Sequence, residues 1–402
     1  MDGVLRERIG TQRVTFVELF FDLVYVFAVT QLSHLLLSHL DLHTAAQTSL
    51  LLLAVWWAWV YTTWFTNWFH PDHRVVRMVL VGVMLTSLIM SAALPTSFGA
   101  HGLLFAAAYT TLQVGRTLFA SLSVRNDRRL RRNLQRVLVW MLFSGVCWIA
   151  GGTAGGTARE LLWLLAIGLD YGAPTVRFAT PGLGRSAVED WTIDGAHLAE
   201  RCQLFIIIAL GESILVTGAT LGSRPLAAGS LTAFVAAFAL SVSLWWLYFD
   251  RSAEAAAERI ASARTPGRLA RSAYTYFHLP LVAGIILTAV GDELVIAHPL
   301  AHPSRAAGLA VLGGPALFLV GHALFKYAVF SHCSVRRLLG AAAVAALGLL
   351  GQVLPLLALT VGATTIIALV GALDAGARTP SPSPETEVVA ATTPVTGAVR
   401  GR

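Results

Sequence analysis

The chain has 402 residues, 56% of them hydrophobic and only 13% charged, with a mean hydropathy of +0.67. Counting its 35 glycines, about 65% is apolar, against roughly 45–50% in soluble domains. The 29 basic and 22 acidic side chains are too few to clothe a soluble protein of this length. That excludes an ordinary soluble enzyme, a nucleic-acid binder and a disulfide-rich secreted module, and places the bulk of the chain in lipid.

A bilayer core of roughly 30 Å asks for about 20 apolar residues per helix. In chain order such runs start near Phe16, Thr44, Val75, Phe98, Leu134 and Glu160, then near His197, Ala228, Ser272, Ser304, Val335 and Leu354. The first carries Glu18 and Asp22 and lacks a small-residue cleavage site, so it reads as a span and not as a removable signal. The last two are separated by Gly351–Pro355, read as a tight turn. The expected fold is all-α and polytopic, with about 12 transmembrane helices. Residues 1–15 form a cytoplasmic N-terminus, 16–374 the membrane domain, and 375–402, rich in Pro, Ser and Thr, a disordered cytoplasmic tail.

The distribution of arginine tests the count. With the N-terminus inside, 23 of the 29 basic residues fall on the cytoplasmic side and only Arg159, Arg224 and Arg305 outside. Arg116, Arg201 and Lys326 lie within spans. Both termini are therefore expected in the cytoplasm, and Asn126–Arg136 reads as a basic segment on the membrane surface. Spans 1 and 7 both carry acids in their first turns, and spans 2 and 8 both carry paired tryptophans, Trp56-Trp57 and Trp245-Trp246. A parallel six-plus-six repeat fits that pattern.

A charge near the bilayer centre costs roughly 3 kcal/mol or more, so each one left there is expected to have a partner or a function. Asp22 lies about 9 Å into span 1 at 1.5 Å per residue, while Glu18 fits a capping box with Thr15. Arg116, His278, His322 and Lys326 fall in the inner part of their spans, Asp170 mid-span, and His197, Glu200 and Arg201 open span 7. Arg201 and Glu212 are eleven residues apart and share a helix face, with a rise of about 16 Å between them. Glu212 is thus a deep carboxylate and a candidate proton carrier. Gly211 before it leaves room for a backbone or ligand to approach. The cluster reads either as an ion-pair network locking the bundle or as a polar cavity open to the cytoplasm.

His39 and His43, and His298 and His302, have i,i+4 spacing near the outer surface. Pro299 and Pro303 interrupt the second pair, and scattered loop histidines are ordinarily solvated, so no metal is assigned. Cys147, Cys202 and Cys333 show neither metal-ligand nor pairing spacing. No phosphate loop, Ser-His-Asp order or zinc-helix motif is present, and no cofactor is expected.

Two stretches carry a resemblance. Val17-Glu-Leu-Phe-Phe-Asp-Leu-Val-Tyr-Val-Phe-Ala-Val-Thr-Gln31 and His197-Leu-Ala-Glu-Arg-Cys-Gln-Leu-Phe-Ile-Ile-Ile-Ala-Leu-Gly-Glu-Ser213, with the Trp-rich second span and Tyr276-Phe-His-Leu-Pro280, resemble the bacterial low temperature requirement A (LtrA) family over about residues 10–375. The resemblance implies a multi-pass protein of the bacterial cell membrane linked to growth in the cold, and names no molecular activity. It makes Glu18, Asp22, His197, Glu200, Arg201, Glu212 and His278 the family's signature polar residues; Arg116 joins the candidates on depth alone.

Three functions compete. An ion- or proton-coupled transporter of a small molecule or ion is favoured, on the span count, the repeat and Glu212. An intramembrane enzyme acting on a lipid or isoprenoid-type substrate would use Asp22, Glu200, His197 and Arg116 for acid–base chemistry, walled by Trp56, Trp57, Trp245 and Trp246. A non-catalytic cold-adaptation protein is the third. A sealed paired core would favour the structural role and an inward-open polar vestibule transport. The expected partner is the lipid bilayer, with no nucleic acid; the sequence leaves the oligomeric state open.

Overall fold

A computed structural model describes residues 4–6, 13–124, 126–187, 190–191, 193–223, 225–250, 252–263 and 266–375. The expected tail beyond Ala375, much of the N-terminal segment, and Arg8, Arg125, Arg224, Arg251, Arg264, Arg378, Arg400 and Arg402 lie outside the described residues.

The helices are α1 (Phe16–Ser38), α2 (Leu42–Trp68), α3 (Arg74–Ala93), α4 (Gly102–Ser123), α5 (Arg128–Thr153), α6 (Gly156–Gly172), α7 (Gly195–Gly222) and α8 (Ala228–Phe249). The short α9 (Ser252–Ala261) and α10 (Pro266–Leu269) lead through a π-helical stretch, Ala270–Tyr276, into α11 (His278–Ala297). Then come α12 (Arg305–Phe330), α13 (Val335–Ala346) and α14 (Leu356–Ala375). Among the described residues nine helical stretches are long and apolar enough to cross a membrane. The chain is an all-α, multi-pass membrane protein. Three of the twelve expected spans fall short of that measure. In α4 the apolar run is diluted by Gln113, Arg116 and three threonines, α6 has 17 residues, and α13 has 12 before it tightens into a 3-10 turn.

Other departures are local. The basic segment expected on the surface at 126–136 is largely the first turns of α5, which Asp127 caps by accepting from the backbone N–H groups of Arg129 and Leu130. Gly211 has open space where a side chain would stand, so no backbone approaches it. The two tryptophan pairs stand in unlike surroundings: Trp56 and Trp57 are each 1% exposed, whereas Trp245 and Trp246 are 45% and 54% exposed on the outer face of the bundle.

Two groups of helices meet along α1 and α7. The first packs α1 on α3, α3 on α4, α4 on α5 and α5 on α6, around α2. From Ala54 to Trp68 every α2 residue but Tyr61 is buried, as expected of a helix enclosed on all sides. The second group packs α8, α11, α12, α13 and α14 together, with α7 against α1, α8 and α11. In α11 and α12 small residues set the approach, since lipid supplies no hydrophobic drive between helices. A Cβ on Gly284 would stand 2.7 Å from the Phe318 backbone nitrogen, and one on Gly291 2.8 Å from the Val311 Cα.

Candidate functional site

A charged layer lies between α1, α2 and α7, built from the first turns of α1 and α7. Glu18, Asp22, His197 and Arg201 are all 0% exposed. Asp22 takes Arg201 in a two-pronged pair, accepting from Nε at 3.0 Å and from the second guanidinium nitrogen at 2.6 Å. It also accepts from the Trp59 indole at 2.7 Å. The remaining terminal nitrogen of Arg201 donates to Glu18 and to the Thr66 hydroxyl, both at 3.1 Å. The guanidinium lies over the rings of Phe21 and Trp59, at 5.6 and 6.0 Å, a cation–π arrangement.

Glu18 is the more heavily used acid. It closes the capping box of α1, accepting from the Thr15 backbone and hydroxyl at 2.9 Å each, and pairs with Arg6 at 2.9 Å. Its other oxygen lies 3.0 Å from His197 Nε2. Asn67 donates to His197 Nδ1 at 3.2 Å and to the Asp194 carbonyl, which fixes the tautomer with its proton on Nε2, facing Glu18. His197 and Arg201 share one α7 face at i,i+4 spacing. Glu200 points elsewhere and accepts from the Val14 backbone. Four of the eight candidates, Glu18, Asp22, His197 and Arg201, therefore meet in one layer.

Arg116 belongs to a neighbouring network. It donates to the Thr62 hydroxyl at 2.7 Å, to the Ala58 carbonyl at 3.3 Å and to Gln113 at 2.5 Å. Gln113 donates to Tyr109, and Tyr109 to Asp170 at 2.9 Å. Thr62 and Thr66 are one turn apart on α2, so this helix seats Arg116 and Arg201 in adjacent turns. Arg201 has two carboxylates; Arg116 has none among the described residues. His278 is in a third place: it donates from Nδ1 to the Ala273 carbonyl at 3.0 Å and accepts from Tyr248 at 2.8 Å.

Glu212 is separate again. It lines a cavity of about 420 Å3 with Thr30, His34 and Glu293, at the far end of α7 from Arg201. A second, narrow cavity of about 70 Å3 lies at the end of the bundle where α2 and α4 finish and α7 starts, and Arg116 lines it. Neither of these two cavities touches both Arg201 and Glu212. The acid–base constellation also fails to form: Glu200 and Arg116 stand apart from Asp22 and His197, and Trp245 and Trp246 face outward.

Several partners escaped sequence reasoning. Trp59 could have been found, since an indole N–H deep in a span needs an acceptor. Arg337, one of the arginines counted on the cytoplasmic side, is 1% exposed, paired with Asp374 and beside His322 at the start of α13. Arg159, read as an outer-loop residue, is buried and donates six hydrogen bonds to the carbonyls of Ser97, Gly99, Gly151, Gly152 and Ala154. Among the described residues no group of three or more His, Cys, Asp or Glu could hold a metal ion.

The family model for the bacterial low temperature requirement A protein matches residues 13–372. An uncharacterized protein of Rhizobium meliloti (strain 1021) is 40% identical over 317 residues, covering 79% of this chain and 78% of its own length. No solved structure matches. The two motifs that hold Glu18, Asp22, His197, Arg201 and Glu212 fall within the matched range, and the chain belongs to the bacterial low temperature requirement A (LtrA) family.

Proposed function

We propose that the protein is a proton-coupled carrier of the bacterial cell membrane, with twelve spans and both ends cytoplasmic, and that the Glu18–Asp22–Arg201 layer is its closed gate. Taken alone, the sealed, ion-paired layer is what a structural role would show; the observation that carries the transport reading is the pair of cavities at opposite ends of the bundle, with that layer alongside the inner one on α2. Alternating access needs two vestibules that are never open together. One helix, α7, supplies Arg201 to the gate and Glu212 to the opposite vestibule, so a shift of α7 against α1 acts on both. Glu212 takes up the coupling proton, beside Thr30 and His34.

Reconstitution into liposomes tests this. A solute accumulates when a proton gradient is imposed, and Glu212→Gln abolishes the gradient-driven component while leaving exchange at equal pH. Flux that ignores Glu212→Gln under the gradient, or no flux of any solute under any gradient, refutes the reading.

A further inference from the structure

Arg116 is 3% exposed and sits on the inner part of a membrane helix, yet no carboxylate lies within ion-pair reach among the described residues. Two other buried arginines show how this protein ordinarily handles such a charge. Arg201 has Asp22 and Glu18. Arg159 is wrapped in backbone carbonyls. Arg116 has three neutral acceptors and the ring of Tyr61 at 5.7 Å. Of its five N–H donors, two, including Nε, have no acceptor among the described residues. A buried cation in that state calls for an anion.

The narrow cavity is beside it, and its walls specify the rest. Trp57, Tyr61, Trp64 and Trp68 line it along α2, a run of about 16 Å at 1.5 Å per residue. Trp191 closes the far side, stacked edge-on against Trp64 at 5.3 Å. A long slot of small volume admits a slender apolar body and rejects a bulky one. Trp57 is 1% exposed, and its indole N–H has no hydrogen-bond partner among the described residues. It packs on Tyr61 at 5.0 Å, the same ring that lies under Arg116. Trp57, which carries this second orphaned donor, lines the slot beside Tyr61 and Arg116. Arg268 and Arg271, both exposed, line the same cavity, and exposed cations at a mouth raise the local concentration of anions.

We propose that this slot binds a slender amphipathic anion, a carboxylate or phosphate monoester on an unbranched chain of medium length. The acid head meets the free donors of Arg116 and Trp57, and the chain runs back between Trp64, Trp68 and Trp191. This names the solute class of the carrier proposed above, but binding is measured without flux, so the two readings fail separately.

The full chain is placed in nanodiscs of a zwitterionic phosphatidylcholine, with Trp245→Phe and Trp246→Phe to silence the outward-facing indoles. It is titrated at pH 8 with 8-bromooctanoate, 8-bromooctanol or 8-bromooctylamine, and quenching of tryptophan emission is followed. The acid quenches saturably, at least 10-fold more tightly than the alcohol, and the amine gives no saturable component. Octanoate and octyl phosphate compete, and their order tells whether the head is a carboxylate or a phosphate. Arg116→Gln removes most of the preference of acid over alcohol. If that variant fails to fold, Arg116→Lys is titrated instead: it keeps the charge, loses the fork of donors, and weakens the acid at least 5-fold. Equal binding of acid, alcohol and amine, or acid preference unchanged in whichever Arg116 variant folds, overturns the proposal; so does the absence of any saturable quenching.

Discussion

Replacing Asp22 by Asn removes one charge from a layer in which none touches water. The side chain keeps its shape and one acceptor oxygen, but the Arg201 cation is left with Glu18, which already serves Arg6, Thr15 and His197. At about 4 Å and an effective dielectric near 20, a unit pair is worth about 4 kcal/mol, and breaking a buried pair from one side ordinarily costs about 3–5 kcal/mol. Asp22→Asn is therefore expected to destabilise by about 3–4 kcal/mol. Removing both charges together, as Asp22→Leu with Arg201→Met, is expected to recover most of this. Glu18 retains Arg6 and its cap, and the remaining deficit is the Trp59 N–H left without its acceptor, about 1–2 kcal/mol. The assay is reversible unfolding by sodium dodecyl sulfate in mixed micelles, followed by near-ultraviolet circular dichroism. An Asp22→Asn protein within 1 kcal/mol of the parent, or a double variant no better than the single one, refutes the account of the layer as a tightly coupled ion pair.

Two more substitutions probe the bundle away from the charges. Gly284→Ala brings a methyl against the α12 backbone and is expected to cost about 1–3 kcal/mol. Gly82→Ala, with nothing within 4 Å of the new methyl, is the control and leaves the unfolding midpoint in place or raises it slightly. Arg159→Lys keeps the charge but offers three donors from a point where six hydrogen bonds converge. An expected loss of about 3 kcal/mol, read in the same unfolding assay, separates carbonyl capture from a purely electrostatic role.

The class of fold was legible because lipid is an unforgiving solvent: long apolar runs and the placement of arginine carry it, and the turn at Gly351–Pro355 is where the residues put it. Glu18, Asp22, His197 and Arg201 were legible as suspects for the same reason, each being too costly to leave in a membrane without a partner. Their pairing was not, because 179 residues separate Asp22 from Arg201 and helical periodicity says nothing about which helices adjoin. Arg116 shows the limit most plainly. Its depth could be counted from the sequence, but its lack of a carboxylate depends on α4 facing Thr62 on α2 and not Asp22 on α1. Trp245 and Trp246 mislead in the opposite direction, since a tryptophan pair reads alike whether it faces protein or lipid.

The sequence distance between Asp22 and Arg201 also bears on how the protein is made. At about 5–20 residues per second, 179 residues of chain take on the order of 10–35 s to synthesise. During that interval α1 has left the ribosome with Glu18 and Asp22, while Arg201, the cation that pairs with Asp22 and shares Glu18 with Arg6, does not yet exist. Arg6, Thr15 and Trp59 are made earlier and, among the described residues, are the partners of the finished layer able to hold α1 in the bilayer meanwhile. The first six helices thus wait as an incomplete socket, and the entry of α7 is the event that commits the chain to its final arrangement.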